Sequence, residues 1–331
     1  MPVMDSVDRS ILTYLQYDFP LTTRPFAAIA RKLGIPESAV FERIDWLKRN
    51  NVIRQISAIF NSSKVGYHSV LCAFKVDAKR LDSVARQLNE DPGISHNYKR
   101  ANEYNLWFTV TIPAEQDLKR KVTRMARRAR VKDWLFLPAI KTYKIGFQLD
   151  MGAKTNTAGR ITDAQKNTRV PACVSTHISI NKVFVRELQK DLPLVANPYR
   201  PAAQELGWTE GRVVREIKHY LKAGVIRRIA CVLRPVHAGY PENVLTAWAP
   251  DIDKMDLLGR VAAEQKQVSH CYQRPMLPQW PYSVYTMVHG KNRAECKKVV
   301  RTIVRKSGIT RFVSLPTLKE YKKIRVEYYS R

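Results

Sequence analysis

Two short strings place three chemically capable side chains at alternate positions: Ser95-His96-Asn97-Tyr98-Lys99-Arg100 and Ser269-His270-Cys271-Tyr272-Gln273-Arg274. In extended backbone, side chains at i, i+2 and i+4 line one face. His96, Tyr98 and Arg100 therefore project together, as do His270, Tyr272 and Arg274. An imidazole exchanges a proton near neutral pH, a phenol donates and accepts, and a guanidinium grips a carboxylate with two parallel hydrogen bonds. Strands ordinarily favour β-branched residues at such positions, so this face suits proton transfer on an anionic substrate. Seven histidines occur, at 68, 96, 177, 219, 237, 270 and 289, and only His96 and His270 sit at equivalent places in a repeated pattern. Neighbouring strand residues point to opposite faces, so Ser95 and Ser269 are expected to face away from their histidines, and a Ser–His nucleophile is set aside.

Other recurrent residues are weaker candidates. Lys141, Tyr143 and Lys144 match Lys319, Tyr321 and Lys322 and could grip an anion; Arg54 matches Arg227. Trp107, with Trp134 and Trp280, could wall a flat aromatic ligand. The run 119–132 holds eight cations and no acid, which reads as a solvated helix face. No G-x-x-x-x-G-K-[ST], G-x-G-x-x-G or H-E-x-x-H string occurs, so nucleotide and zinc-hydrolase chemistry find no support.

The elements that must position these residues are written twice. Phe19-Pro-Leu-Thr-Thr-Arg-Pro-Phe26 corresponds to Leu192-Pro-Leu-Val-Ala-Asn-Pro-Tyr199, and Asn51-Val-Ile-Arg54 to Gly224-Val-Ile-Arg227. Val65-Gly-Tyr67 corresponds to Ala238-Gly-Tyr240, and Leu137-Pro-Ala-Ile-Lys-Thr-Tyr-Lys144 to Leu315-Pro-Thr-Leu-Lys-Glu-Tyr-Lys322. The order is kept throughout, as a duplication requires. In the front part of the first copy, Val7, Ile11, Leu12 and Leu15 recur at helical spacing. Pro25 then opens a helix that Gly34 closes, and Glu37–Asn50 restarts with Val40, Ile44 and Leu47 on one face. Val52–Phe60 follows as an apolar run, expected as the wing strand of a winged helix. The back part reads strand 70–76, helix 81–89, strands 95–100 and 106–112, helix 115–130 and strand 134–137, a ferredoxin-like βαββαβ order. The expected organisation is α+β: a winged helix-turn-helix at 1–60, a ferredoxin-like domain at 61–150, a Gly/Thr/Asn-rich linker at 151–180, then the second winged helix-turn-helix at 181–233 and ferredoxin-like domain at 234–331.

Composition bounds the partners. The 331 residues carry 57 Lys+Arg against 29 Asp+Glu, a formal charge of +28 and a pI near 10.1. Such a surplus calls for an anionic partner: nucleic acid, a membrane surface, for which no basic amphipathic anchor is read, or a polyanionic small molecule. The longest apolar runs, such as Val70–Phe74, fall far below the ~18 residues a bilayer span needs, and the acidic start of the chain does not read as a signal peptide. Five cysteines, at 72, 173, 231, 271 and 296, lack any C-x-x-C spacing, which points to a reducing, cytoplasmic setting without disulfides.

With Phe19-Pro-Leu, Arg24-Pro-Phe, Leu33-Gly, Val52-Ile-Arg54, Gly66-Tyr67 and above all Gly93-Ile-Ser-His-Asn-Tyr98 in hand, the chain resembles the Lrp/AsnC superfamily and, within it, siroheme decarboxylases of the fused NirD/NirL-like form. The likeness spans both copies. It implies loss of carbon dioxide from the C12 and C18 acetates of siroheme, toward haem d1 or haem, with no cofactor beyond the substrate's own iron. It also implies essential roles for His96 and His270, one as proton donor and the other orienting an acetate or ligating the iron axially. Arg100 and Arg274 would hold carboxylates, with Tyr98, Tyr272, Lys141, Lys144, Lys319, Lys322, Arg54, Arg227 and Trp107 as further substrate contacts. The two copies would act as an internal pseudo-dimer, with room for self-association or association with related decarboxylase subunits. The alternative is a DNA-binding regulator of the same superfamily, sensing haem in one version, since winged helices commonly read the major groove.

Overall fold

The computed structural model describes residues 4–146, 179–234 and 236–330. The expected linker at 151–180 lies outside them apart from Ser179 and Ile180. In the first copy the elements run α1 (Ser6–Tyr17), α2 (Pro25–Leu33), α3 (Glu37–Arg49), β1 (Ile53–Phe60), β2 (Tyr67–Phe74), α4 (Leu81–Asn89), β3 (Ile94–Arg100), β4 (Leu106–Pro113), α5 (Leu118–Arg128), β5 (Trp134–Pro138) and β6 (Lys141–Ile145). The second copy runs α6 (Lys182–Leu188), α7 (Arg200–Leu206), α8 (Glu210–Lys222), β7 (Ile226–Leu233), β8 (Glu242–Trp248), α9 (Met255–Glu264), β9 (Val268–Gln273), β10 (Val284–Gly290), α10 (Arg293–Ser307) and β11 (Phe312–Lys323). The described residues form two compact units, one within 1–65, 149–239 and 327–331, the other within 66–148 and 240–326.

The first unit holds both helix-turn-helix segments. Asp5 caps α1 through a reciprocal box with Asp8. Gly34 and Gly207, at φ +67° and +63°, end the helix before each turn in the left-handed conformation that glycine adopts without strain. Ile11, Leu12, Leu15, Phe26, Ile29, Val40, Ile44 and Leu47 are fully buried around that turn. The strand expected as a wing takes a different partner. β1 pairs antiparallel with β7, its own counterpart, with Ser57 opposite Ala230. After Phe60 the chain enters a short 3-10 turn at Ser62–Val65 and leaves for β2, so the open edge of β1 is met by the other copy and not by a local hairpin.

The second unit holds one nine-stranded sheet, ordered β5-β2-β4-β3-β11-β8-β10-β9-β6. Two ferredoxin-like sheets are legible in it. β5-β2-β4-β3 is the first copy in the order 4-1-3-2, and β11-β8-β10-β9 is the second in the same order. They are joined by exchanged tails. β11 pairs with β8 of its own copy over Phe312–Pro316 and then with β3 of the other over Thr317–Lys323. Reciprocally, β5 stays with β2 while β6, two residues later, pairs with β9.

Alternation along these strands separates three cores. Val70, Cys72, Leu106, Phe108 and Val110 pack outward on α4 and α5, and Trp248, Val268, Val284 and Val288 pack likewise on α9 and α10. The residues between them turn inward into a third core drawn from both copies: Ala73, Trp107, Leu135, Leu137, Leu245, Ala247, Tyr285 and Leu315. Trp107 and Trp280 meet there at 5.7 Å between ring centroids. Each copy thus leaves half of its apolar surface and one strand edge to be covered by the other. Fragments 1–150 and 179–331 expressed singly are expected to aggregate, and co-expressed to purify as a one-to-one complex. Two fragments that are each soluble and monomeric alone would contradict the exchanged sheet.

Candidate active site

The strands that receive the exchanged tails are those that carry the two motifs. β3 presents Asn97 outward, where its amide meets the Ala85 carbonyl and Asn89 on α4, and therefore turns His96, Tyr98 and Arg100 inward. The imidazole and phenol rings lie 6.2 Å apart, and the Arg100 guanidinium covers the Tyr98 ring at 5.1 Å. β9 repeats the arrangement, with His270–Tyr272 at 6.1 Å and Arg274 over Tyr272 at 5.0 Å. The histidines, the tyrosines and Arg274 are half-buried, whereas Arg100 is buried.

The serines depart from simple alternation. Between Ile94 and His96, β3 advances two residues while β4 advances one, from Val110 to Thr109; β9 and β10 do the same between Val268 and His270. Each is a β-bulge centred on the serine, and a bulge re-aims the side chain it carries. Ser95 Oγ consequently lies 2.9 Å from His96 Nδ1, and Ser269 Oγ 2.8 Å from His270 Nδ1. The serines face their histidines, contrary to the sequence expectation. The serine hydroxyls thus engage Nδ1 of each imidazole.

The arginines serve the frame. Arg100 donates at 2.7 Å to the Leu315 carbonyl, and Arg274 donates to the carbonyl of Leu137, the equivalent residue of the other copy. Each thus clamps the point where the partner tail crosses between sheets. Burial pulls the Arg100 pKa down to about 10 and lowers that of Arg274. The Lys/Tyr repeats serve as latches. Lys319 and Tyr321 both reach Asp82 in the first turn of α4, while Lys322 donates to the Asn89 carbonyl at that helix's far end. Lys141 and Tyr143 reach Asp256 at the start of α9, each at 2.6 Å, and Lys144 donates to the Gln265 carbonyl at its end. These four lysines therefore sit on the outer, helix-covered side of the sheet, away from the imidazoles. Trp107 is buried in the inner core with its indole N–H on the Tyr104 carbonyl. Arg54 and Arg227 belong to the other unit, where Arg227 donates to Asn61.

Two flanking residues carry no repeat signal. The partner tail places Lys323 opposite His96 but Ile145 opposite His270, and directly opposed residues share a face. On the third strand of each sheet, Thr111 pairs with Ser69, where the second copy has His289 paired with Asn243. His289 is buried, with Nε2 2.9 Å from Ser269 Oγ. Burial, then the nearby His270, Lys323 and Arg100, push its pKa down to about 3. Among the described residues no group of three or more His, Cys, Asp and Glu could hold a metal ion, and no helix is long and apolar enough to cross a membrane.

The helix that would read DNA in the first copy has its cations engaged. In α3, Arg43 bridges Asp5 and Asp8 at 2.8 and 2.7 Å, Lys48 reaches Asp191 at 2.8 Å and Arg49 pairs with Asp45. Phosphate contact needs cations aimed outward.

A family described as the AsnC-like ligand binding domain matches residues 64–144 and 237–322, and one described as the siroheme decarboxylase NirDL-like HTH domain matches 8–54 and 181–227. The chain is 36% identical to a siroheme decarboxylase of Hydrogenobacter thermophilus, over 97% of this chain and 94% of that protein. The chain belongs to the siroheme decarboxylase family. A crystal structure of the siroheme decarboxylase NirDL in complex with an iron-uroporphyrin III analogue superposes with a TM-score of 0.72, at 32% identity over 98% of this chain and 95% of that one. The siroheme decarboxylase alpha subunit of Desulfovibrio desulfuricans is 38% identical over 44% of this chain and 86% of its own length, so one copy here answers to a separate subunit there.

The latch lysines give a pH test. Burial draws Lys144 from 10.5 down to about 8. Between those values the unfolded chain holds the proton that the folded chain has lost, so the stability contributed by this group rises with pH across that window; below about pH 8 its buried charge costs stability in full. The melting temperature of Lys144→Met relative to the native protein should therefore fall between pH 7 and pH 10, whatever the loss of the Gln265 hydrogen bond adds at both. An equal difference at both pH values would contradict this.

Proposed function

We propose that the chain is a siroheme decarboxylase that releases carbon dioxide from the C12 and C18 acetate arms, giving 12,18-didecarboxysiroheme on the route to haem d1. The observation that carries the reading is the pair of Ser-His-x-Tyr-x-Arg strands, in which each serine engages Nδ1 of its histidine and each arginine covers its tyrosine; Nε2 is the ring nitrogen assigned here to the substrate.

The chemistry asks for little more. The bond between the acetate methylene and its carboxylate breaks, carbon dioxide leaves, and the electron pair stays on carbon, delocalised into the macrocycle. A proton from Nε2 of a histidinium then converts that carbon to a methyl group, and solvent restores the imidazole. The decarboxylation is non-oxidative, one proton taken up per carbon dioxide lost. Siroheme carries a ring of carboxylates around a flat iron macrocycle, so it calls for cations at its rim. We assign Lys323, which lies opposite His96 and pairs with Glu320 at 3.7 Å, to a non-reacting arm, for which it would exchange that partner, while Arg100 and Arg274 act from behind as fixed positive charge and as clamps on the tails. Tyr98 and Tyr272, each held under an arginine, border the imidazoles. The cleft in the other unit lined by Glu187, Lys190, Pro201, Gln204 and Glu205 presents two carboxylates and is poorly suited to a polyanion.

The ion pairs of α3 weigh against the DNA-binding reading in the first copy, while α8 of the second carries Arg212, Arg215, Lys218 and Lys222, so a salt-dependent DNA shift assay remains the test of that alternative. Replacing His96 or His270 by Ala should lower anaerobic siroheme turnover by about 10²–10⁴-fold, with the affinity read by absorbance titration changed only a few-fold. Undiminished turnover in both single variants would rule the histidine chemistry out.

A further inference from the structure

Duplication supplies two histidines in the same local setting, yet their surroundings differ. His96 is flanked across the sheet by Thr109 and Lys323, whereas His270 is flanked by Met287 and Ile145. Behind His270, and not at the matching place in the first copy, a second imidazole completes a chain: His289 Nε2 lies 2.9 Å from Ser269 Oγ, which lies 2.8 Å from His270 Nδ1. The first copy has Thr111 in that place, hydrogen-bonded to Ser69.

We infer that His289 is a positioning residue, which acts through Ser269 to hold the His270 imidazole with its Nδ1–H directed inward and Nε2 directed to the substrate. The inference rests on the proposed use of His270 and deepens it. A serine hydroxyl has one hydrogen to give. With His289 neutral, its Nε2 lone pair at 2.9 Å takes the Ser269 hydrogen in preference to the Met287 carbonyl at 3.4 Å, so the hydroxyl oxygen is left to accept from His270 Nδ1–H. A hydrogen bond of that sense favours the protonated imidazole, and after Nε2 has given up its proton the ring is left as the Nδ1–H tautomer without rotation or proton shuffling. Burial of His289 is what keeps it in the accepting form. The nearby His270, Lys323 and Arg100 each oppose charging it as well. Met287 and Ile145 set apolar side chains opposite His270, where the first copy has Thr109 and Lys323 opposite His96. His270 is thereby the better-supported proton donor of the two, and the copies are not interchangeable.

The test is a double-mutant cycle on the full chain with siroheme under anaerobic conditions. His289→Thr, which installs the first copy's residue, should lower kcat about tenfold with KM unchanged, and should add nothing in a His270→Ala background. His289→Gln, whose amide oxygen can accept from Ser269, should restore most of the loss. Long-range ¹⁵N–¹H spectra should show His270 as the Nδ1–H tautomer in the native chain and as a mixture in His289→Thr. Should that variant not fold, Ser269→Ala removes the bridging hydroxyl and should give the same loss and the same silence behind His270→Ala. Equal losses in native and His270→Ala backgrounds, or a Gln variant no better than Thr, would overturn the relay while leaving His270 in place. Native turnover in His270→Ala would instead overturn the reading on which it rests.

Discussion

Each histidine lies on a strand that would be the outermost of its own four-stranded sheet, and an outermost strand has a row of backbone donors and acceptors without partners. The exchanged tails meet that need. β3 is completed by the far half of β11, and β9 by β6. Neither motif therefore has its full set of neighbours within a single copy. The two arginine–carbonyl clamps sit at the crossing points, and the Lys/Tyr latches fasten each tail along the outside of the other copy's helix, acid at one end and carbonyls at the other. Both imidazoles are held in fixed places by tails that cannot slip register without exposing a core face.

A second constraint is local. The bulges at Ser95 and Ser269 bring a hydroxyl to Nδ1, so each ring is oriented by its own strand before any substrate arrives. What differs between the copies lies one strand further away, in Lys323 against Ile145 and Thr111 against His289. Symmetry thus governs how the imidazoles are held, and asymmetry governs what each is held beside.

The repeat, both βαββαβ orders, the helix-turn-helix pairs and the shared face of His96, Tyr98 and Arg100 were all readable from spacing, because each depends on neighbours close in sequence. The serine orientation was not, since alternation fails only where the partner strand skips a residue, and that is a property of two strands. The latch lysines looked like anion ligands because their acids, Asp82 and Asp256, stand in the opposite copy. The two arginines looked like substrate clamps until burial and the carbonyls of Leu137 and Leu315 came into view. His289 escaped for a different reason: selecting histidines by their recurrence discards any residue that makes the copies unlike. Lys323, just beyond the last repeated lysine, escaped likewise.

The most direct measurement is a crystal structure of the chain with an iron uroporphyrin bound. The expected result is a macrocycle against the inward strand faces, with an acetate oxygen or methylene within about 3.5 Å of Nε2 of His96 or His270 and a further carboxylate near Lys323. A macrocycle seated in the helix-turn-helix unit or on the outer helices, with both imidazoles remote from every acetate arm, would contradict it.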